Sequence, residues 1–279
     1  MVRYLIDVLS FFYCYTGVDI ISEDSISLHF SYKGKNYILK MLDRINDEIY
    51  YTQQFSFFHK IIKNKFYESF SFYDNKRYVL LLVSIVNNRK IDLYDFIILS
   101  NMKLKHFIDY NKQYSFIWLH KNNYFEHFYK YKDYIVDYIS GLSQNAIEYS
   151  KLVNYRNVTF GFSYDRFLKE IYLINFWDPT LVKIGPVVNG IAEYIKTLFF
   201  EYNSFIDFEL LLEFNFTYDD YILLISRLLF PTYLYDSYNS NNCELLVSKS
   251  IEYLKYVFKI ILEIKNRYNN VPIVEWLKS

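Results

Sequence analysis

The chain has 279 residues, 52% of them apolar and 22% aromatic, with 31 basic residues set against 31 acidic ones. A chain this long buries roughly 75% of its unfolded surface, so it needs no disulfide or metal staple, and its apolar content excludes intrinsic disorder. The zero net charge excludes a broad basic face and, with it, non-specific nucleic-acid binding.

The first element is an opening helix at the amino terminus, ended by Gly17. Asp7 interrupts its apolar run and no small-residue cleavage site follows, so it does not read as a signal peptide. Ser25 to Tyr32 then alternates Ile26, Leu28, Phe30 and Tyr32 with polar residues, the pattern of a half-buried strand. Lys33-Gly34-Lys35-Asn36 supplies a turn, and the return strand Tyr37 to Met41 puts Tyr37, Leu39 and Met41 on one face and Ile38 and Lys40 on the other. A lysine therefore stands inside an otherwise apolar strand.

From Ile45 the period changes. Ile45, Ile49, Thr52, Phe55, Phe58 and Ile62 recur at three and four, which predicts an amphipathic helix. Phe66 to Tyr73 and Arg77 to Val86 read as two further strands joined by Asp74-Asn75-Lys76, and the polar Asn87-Asn88-Arg89-Lys90 reads as a connector. Beyond it the pattern is mostly helical: two helices over Leu104 to Tyr138, one over Tyr221 to Leu229 and one over Leu246 to Ile264. Short strand-like runs at Val158 to Phe162 and Ile171 to Trp177 suggest a small hairpin within this helical part. The longest apolar stretches fall short of the 18 or so residues that span a bilayer, so no transmembrane segment is predicted.

Cys14 and Cys243 stand alone, without a CxxC or a histidine at ligand spacing, and read as reduced core residues of a cytosolic protein. The five histidines, His29, His59, His106, His120 and His127, show no metal or triad spacing. No metal centre is expected on these grounds.

A lysine-bearing small β lobe, a connector, and a larger helical lobe with a central hairpin resemble the two-lobed protein-kinase-like fold in its aminoglycoside phosphotransferase form. The expected class is α+β, with residues 1–86 as the β-rich N-lobe and 87–279 as the helical C-lobe. Three segments carry a closer resemblance, to the YutH-type spore coat proteins: Gly141-Leu142-Ser143-Gln144-Asn145-Ala146-Ile147-Glu148-Tyr149; Gly185 to Lys196 with its Ile191-Ala192-Glu193-Tyr194; and Arg227-Leu228-Leu229-Phe230-Pro231 with the closing Val271 to Leu277. In a chain with only two alanines, both Ala146 and Ala192 fall inside these segments, as do Gly141, Gly185, Gly190, Pro186, Pro231 and Pro272. Small or rigid residues retained against such a drift mark places where a side chain would clash or the backbone needs a fixed turn.

The resemblance implies where phosphoryl-transfer chemistry would sit. Lys40 takes the place of the phosphate-pairing lysine, with Glu48, or Gln54 further along, as its partner on the next helix. The phosphate loop falls on Ile20-Ile21-Ser22-Glu23-Asp24-Ser25, which has no glycine and two acids and would repel phosphate. Phe162 falls where the catalytic aspartate belongs, Asn175 where a magnesium ligand belongs, and Gly190 where an aspartate opens the following helix. Asp165 and Asp178 are the carboxylates near enough to substitute as catalytic groups, and Asn175 and Asp178 are the metal candidates. The resemblance thus implies a degenerate member acting as a structural or interaction component among other coat proteins, in the cytoplasm or the spore coat. ATP and magnesium are implied only if the chain is an active phosphotransferase; a third reading is a pseudoenzyme that binds a ligand between the lobes.

Overall fold

The computed structural model describes residues 2–45, 47–85, 87–102, 114–128, 134–164, 171–238, 243–268 and 271. They form two compact units, one of residues 1–91 together with 170–182, the other of 92–169 and 183–279.

The first unit opens with α1 (Val2–Tyr13), whose Leu5, Val8, Leu9 and Phe12 recur at helical spacing. That stripe packs on one face of an antiparallel sheet, against Leu28, Phe30, Tyr37, Leu39, Tyr78 and Leu80. The strands are β1 (Asp19–Glu23), β2 (Ser27–Tyr32), β3 (Lys35–Leu42), β4 (Lys60–Ile62), β5 (Ser71–Tyr73) and β6 (Lys76–Leu82), in the order β1-β2-β3-β6-β4 with β5 also paired to β6. Two tight hairpins fix the register. Between β2 and β3 the loop residues Lys33 and Gly34 both have positive φ, and between β5 and β6 so do Asp74 and Asn75, the geometry that matches the twist of paired strands. The other face carries Ile38, Val79 and Leu81, which pack with Ile49 of the short α2 (Glu48–Thr52), Phe70 and Ile174.

Several expectations change here. The helix predicted from Ile45 to Ile62 shrinks to the five residues of α2, and Lys60–Ile62 joins the sheet as β4. Gln53 holds the reversal: its carbonyl accepts the Ile61 amide N–H at 2.9 Å while its NH2 donates to the His59 carbonyl at 3.1 Å. The strand predicted from Phe66 begins only at Ser71. The buried Asn64 amide accepts from the Phe66 and Glu68 N–H groups and donates to the Phe70 carbonyl, tying the chain into a loop with Tyr67 at φ 65°. Ile20 to Ser25 is strand β1 followed by a turn in which Asp24 accepts the Ile26 and Ser27 N–H groups, so it is not an open phosphate loop. Cys14 lies just past α1 at φ 59° and is exposed, where the sequence suggested core.

The second unit continues with α3 (Leu93–Ser100), opened by a reciprocal Asp92/Asp95 capping box, then α4 (Tyr114–Phe128), α5 (Tyr134–Lys151) and strand β7 (Phe160–Ser163). The chain then passes through the 170–182 stretch of the first unit, which carries α6 (Leu173–Phe176). Back in the second unit come β8 (Lys183–Pro186), α7 (Val187–Tyr202), α8 (Phe208–Leu212), α9 (Tyr218–Leu229), α10 (Thr232–Ser237) and α11 (Cys243–Arg267). The expected hairpin exists with a different partner: β7 pairs β8, Phe160 opposite Pro186, while Ile171 to Trp177 holds a helical turn. The run Ile171 to Trp177 is apolar without an alternation that a second strand could use, so local periodicity could not choose between strand and buried helix.

Helices α7 and α9 are buried almost all round, which marks them as the core of this unit. The first turn of α9 ties down the approach to β7. Asp219 accepts from the Asn154 N–H at 2.8 Å and the Asn157 side chain at 2.9 Å, and Asp220 accepts the Thr159 N–H and hydroxyl, both at 2.7 Å. Among the described residues no helix is long and apolar enough to cross a membrane.

Candidate functional site

The candidate site lies within the first unit and is built on Lys40. Its place in β3, opposite Val79 of β6 and Ser27 of β2, fixes the lysine on the face away from α1. There its Nζ donates to Asp178 Oδ2 at 2.8 Å and to Thr180 Oγ1 at 3.0 Å. Asp178 follows α6 and closes a small turn of its own, its Oδ1 accepting the Thr180 N–H at 2.8 Å and the Thr180 hydroxyl at 2.7 Å. Both carboxylate oxygens are thus engaged, and the carboxylate is nearly inaccessible. Burial pushes its pKa up, but the Lys40 ammonium and the Thr180 donors outweigh it and hold the group below the ordinary aspartate value.

His59 stands behind this pair, with no exposed surface. Its Nε2 lies 2.9 Å from the Ile174 carbonyl and so carries the proton; its Nδ1 faces the Ser84 hydroxyl at 3.2 Å, and that hydroxyl donates to the Phe57 carbonyl. Burial pushes the imidazole pKa down, opposed by the charge of Asp178. The His59 amide donates to the Trp177 carbonyl at 3.1 Å, and the Trp177 ring stacks on Phe57 and meets Phe58 edge-on. The 170–182 stretch is thereby fastened beside β3 and β4, and Asp178 is delivered to Lys40 across 138 residues of sequence.

The other predicted residues fall in different places. Glu48 is the first residue of α2, where a carboxylate favours the helix terminus, and Gln54 lies beyond that helix and is exposed. Asn175 is half-buried in α6. Asp165 lies outside the described residues. Phe162 has 0% exposure within β7. Beside it, Ser163 donates its hydroxyl to the Pro186 carbonyl at 2.7 Å and accepts the Gly190 N–H at 3.3 Å. A Cβ on Gly190 would come within 3.2 Å of the Phe96 and Tyr164 rings, which accounts for glycine there. Thr180 was missed as a partner of Lys40, and His59 as the buried imidazole whose charge state Asp178 influences. The Asp-Pro-Thr spacing at 178–180 signalled the local turn, but nothing in the sequence pointed to its meeting with Lys40.

The resemblance-bearing segments meet inside the second unit. Glu193 of α7 accepts from Arg227 of α9 at 3.0 Å and lies 3.4 Å from Lys196, whose Nζ also donates to the Phe230 carbonyl at 3.0 Å. All three side chains are buried, and burial lowers the Lys196 pKa to about 8 despite Glu193. The Ala-Glu-Tyr-Ile-Lys and Arg-Leu-Leu-Phe-Pro segments are therefore two halves of one buried ion cluster. The closing segment from Pro272 onward lies outside the described residues.

Magnesium and nucleotide phosphate fit this donor set poorly. Magnesium asks for free anionic oxygens in octahedral array, while both oxygens of Asp178 already accept short hydrogen bonds and Asn175 offers only an amide. Among the described residues no three His, Cys, Asp or Glu side chains gather as metal ligands. Strand β1, at the place implied for the phosphate loop, presents Asp19 and Glu23.

The fold is the protein-kinase-like fold of the aminoglycoside phosphotransferases, with a small antiparallel sheet in one unit and helices dominating the other. An aminoglycoside phosphotransferase from Alicyclobacillus acidocaldarius superposes with a TM-score of 0.63 at 9% identity, over 88% of this chain and 92% of that one. The AMP-bound spectinomycin phosphotransferase APH(9)-Ia gives 0.51 at 11% identity over 92% and 94%, and ADP-bound APH(2'')-Ib gives 0.50 at 10% over 91% and 97%. No protein-family model matches the chain, and no curated protein matches it in sequence.

Proposed function

We propose that this chain is a catalytically silent protein of the kinase-like fold, serving as a structural or interaction component in the manner of the YutH-type spore coat proteins, in the cytoplasm or the coat. The observation that carries the loss of catalysis is the Lys40–Asp178–Thr180 set: the strand lysine is paired with a buried carboxylate both of whose oxygens already accept hydrogen bonds. Phe162, a buried ring where the resemblance places the catalytic carboxylate, supports the same reading. The coat role rests on the three segments quoted from the sequence, and its partners on that reading are other coat proteins.

The test is a thermal melt with ATP and magnesium together, run beside an assay for phosphoryl transfer. The proposal expects no rise in melting temperature at millimolar nucleotide and no product. A second reading, a divergent ATP-dependent phosphotransferase acting on a small-molecule or protein hydroxyl, is favoured by Asp178 being held ionised beside the strand lysine. It expects a rise that Asp178→Asn removes. A rise without turnover would instead identify a ligand-binding pseudoenzyme. The coat role is tested by following a tagged copy through sporulation; exclusion of the tag from purified spores would refute it.

A further inference from the structure

We draw no further inference here: the strongest candidate, the cavity of about 20 Å³ beside Lys196 in the second unit, has room for about one water molecule, and the Lys196 ammonium already donates to the Phe230 carbonyl, the Thr232 hydroxyl and Glu193, so it belongs to the buried ion cluster already described.

Discussion

The Lys40–Asp178 pair can be taken apart from either side, and the two cuts should respond to pH in different ways. Lys40→Met leaves the Asp178 carboxylate nearly inaccessible, with only the Thr180 N–H and hydroxyl as donors. Removing one member of a buried pair costs about 3–5 kcal/mol; because the Lys40 side chain keeps 15% of its surface, part of the pair is already screened and about 2–4 kcal/mol is expected. In the intact protein the folded pKa of Asp178 lies below its ordinary value of 3.8. Its contribution is thus fully present above that pH and is lost only as pH falls through the lower folded value. In Lys40→Met burial acts without the ammonium and the folded pKa moves above 3.8. The variant then regains stability as the pH is lowered from 7 towards 4 and the buried carboxylate takes up its proton. The deficit of Lys40→Met relative to the parent should therefore be largest at pH 7 and shrink steadily towards pH 4. Urea unfolding at half-unit pH steps measures it. A deficit under about 0.5 kcal/mol, or one that does not change over this window, would refute the account of the pair. The double variant Lys40→Met, Asp178→Leu, which leaves no charge behind, should be closer to the parent than Lys40→Met alone.

Three further outcomes follow from the described packing. His59 is buried with its folded pKa depressed below 6.5, so its contribution is present above 6.5 and lost as pH falls through the folded value; His59→Gln should flatten that part of the stability curve in the same urea series. Lys196 has a folded pKa of about 8 against 10.5 unfolded, so the parent should gain stability between those values, and Lys196→Met should abolish the gain in melts run from pH 8 to 10.5. Gly190→Val drives side-chain atoms against the Phe96 and Tyr164 rings and the Tyr164 backbone; a loss of about 1–3 kcal/mol is expected by urea unfolding, and an unchanged midpoint would contradict the close packing of α7 on β7.

Much of the first unit was legible because its signals are local. The alternation in Ser25 to Tyr32 predicted β2, Lys33-Gly34 predicted the turn, and the period of two put Ile38 and Lys40 on one face of β3. The helix expected over Ile45 to Ile62 failed because its apolar residues at three and four serve two masters: Ile49 packs under the sheet from α2, while Lys60–Ile62 pairs with β6. Tertiary pairing overrode periodicity, and only the side chain of Gln53, reaching His59 and Ile61, marks where. In the second unit the scarce alanines and glycines were a usable guide. Ala192 is buried in the centre of α7, and a Cβ on Gly190 would meet the Phe96 and Tyr164 rings at 3.2 Å.

By itself the sequence determined which strand carries the lysine, that acids replace glycines at the place implied for phosphates, and that a phenylalanine occupies the place implied for the catalytic carboxylate. These are properties of residue type and spacing, which the chain carries whether folded or not. Only the tertiary structure decided which carboxylate Lys40 meets. The ion pair joins positions 138 residues apart, and it depends on α6, on the clamp of Trp177 between Phe57 and Phe58, and on a turn that spends one oxygen of Asp178 on Thr180. The strength of that pair comes from the burial of its members and the short distance at which they meet, and neither exists until the distant segments have packed.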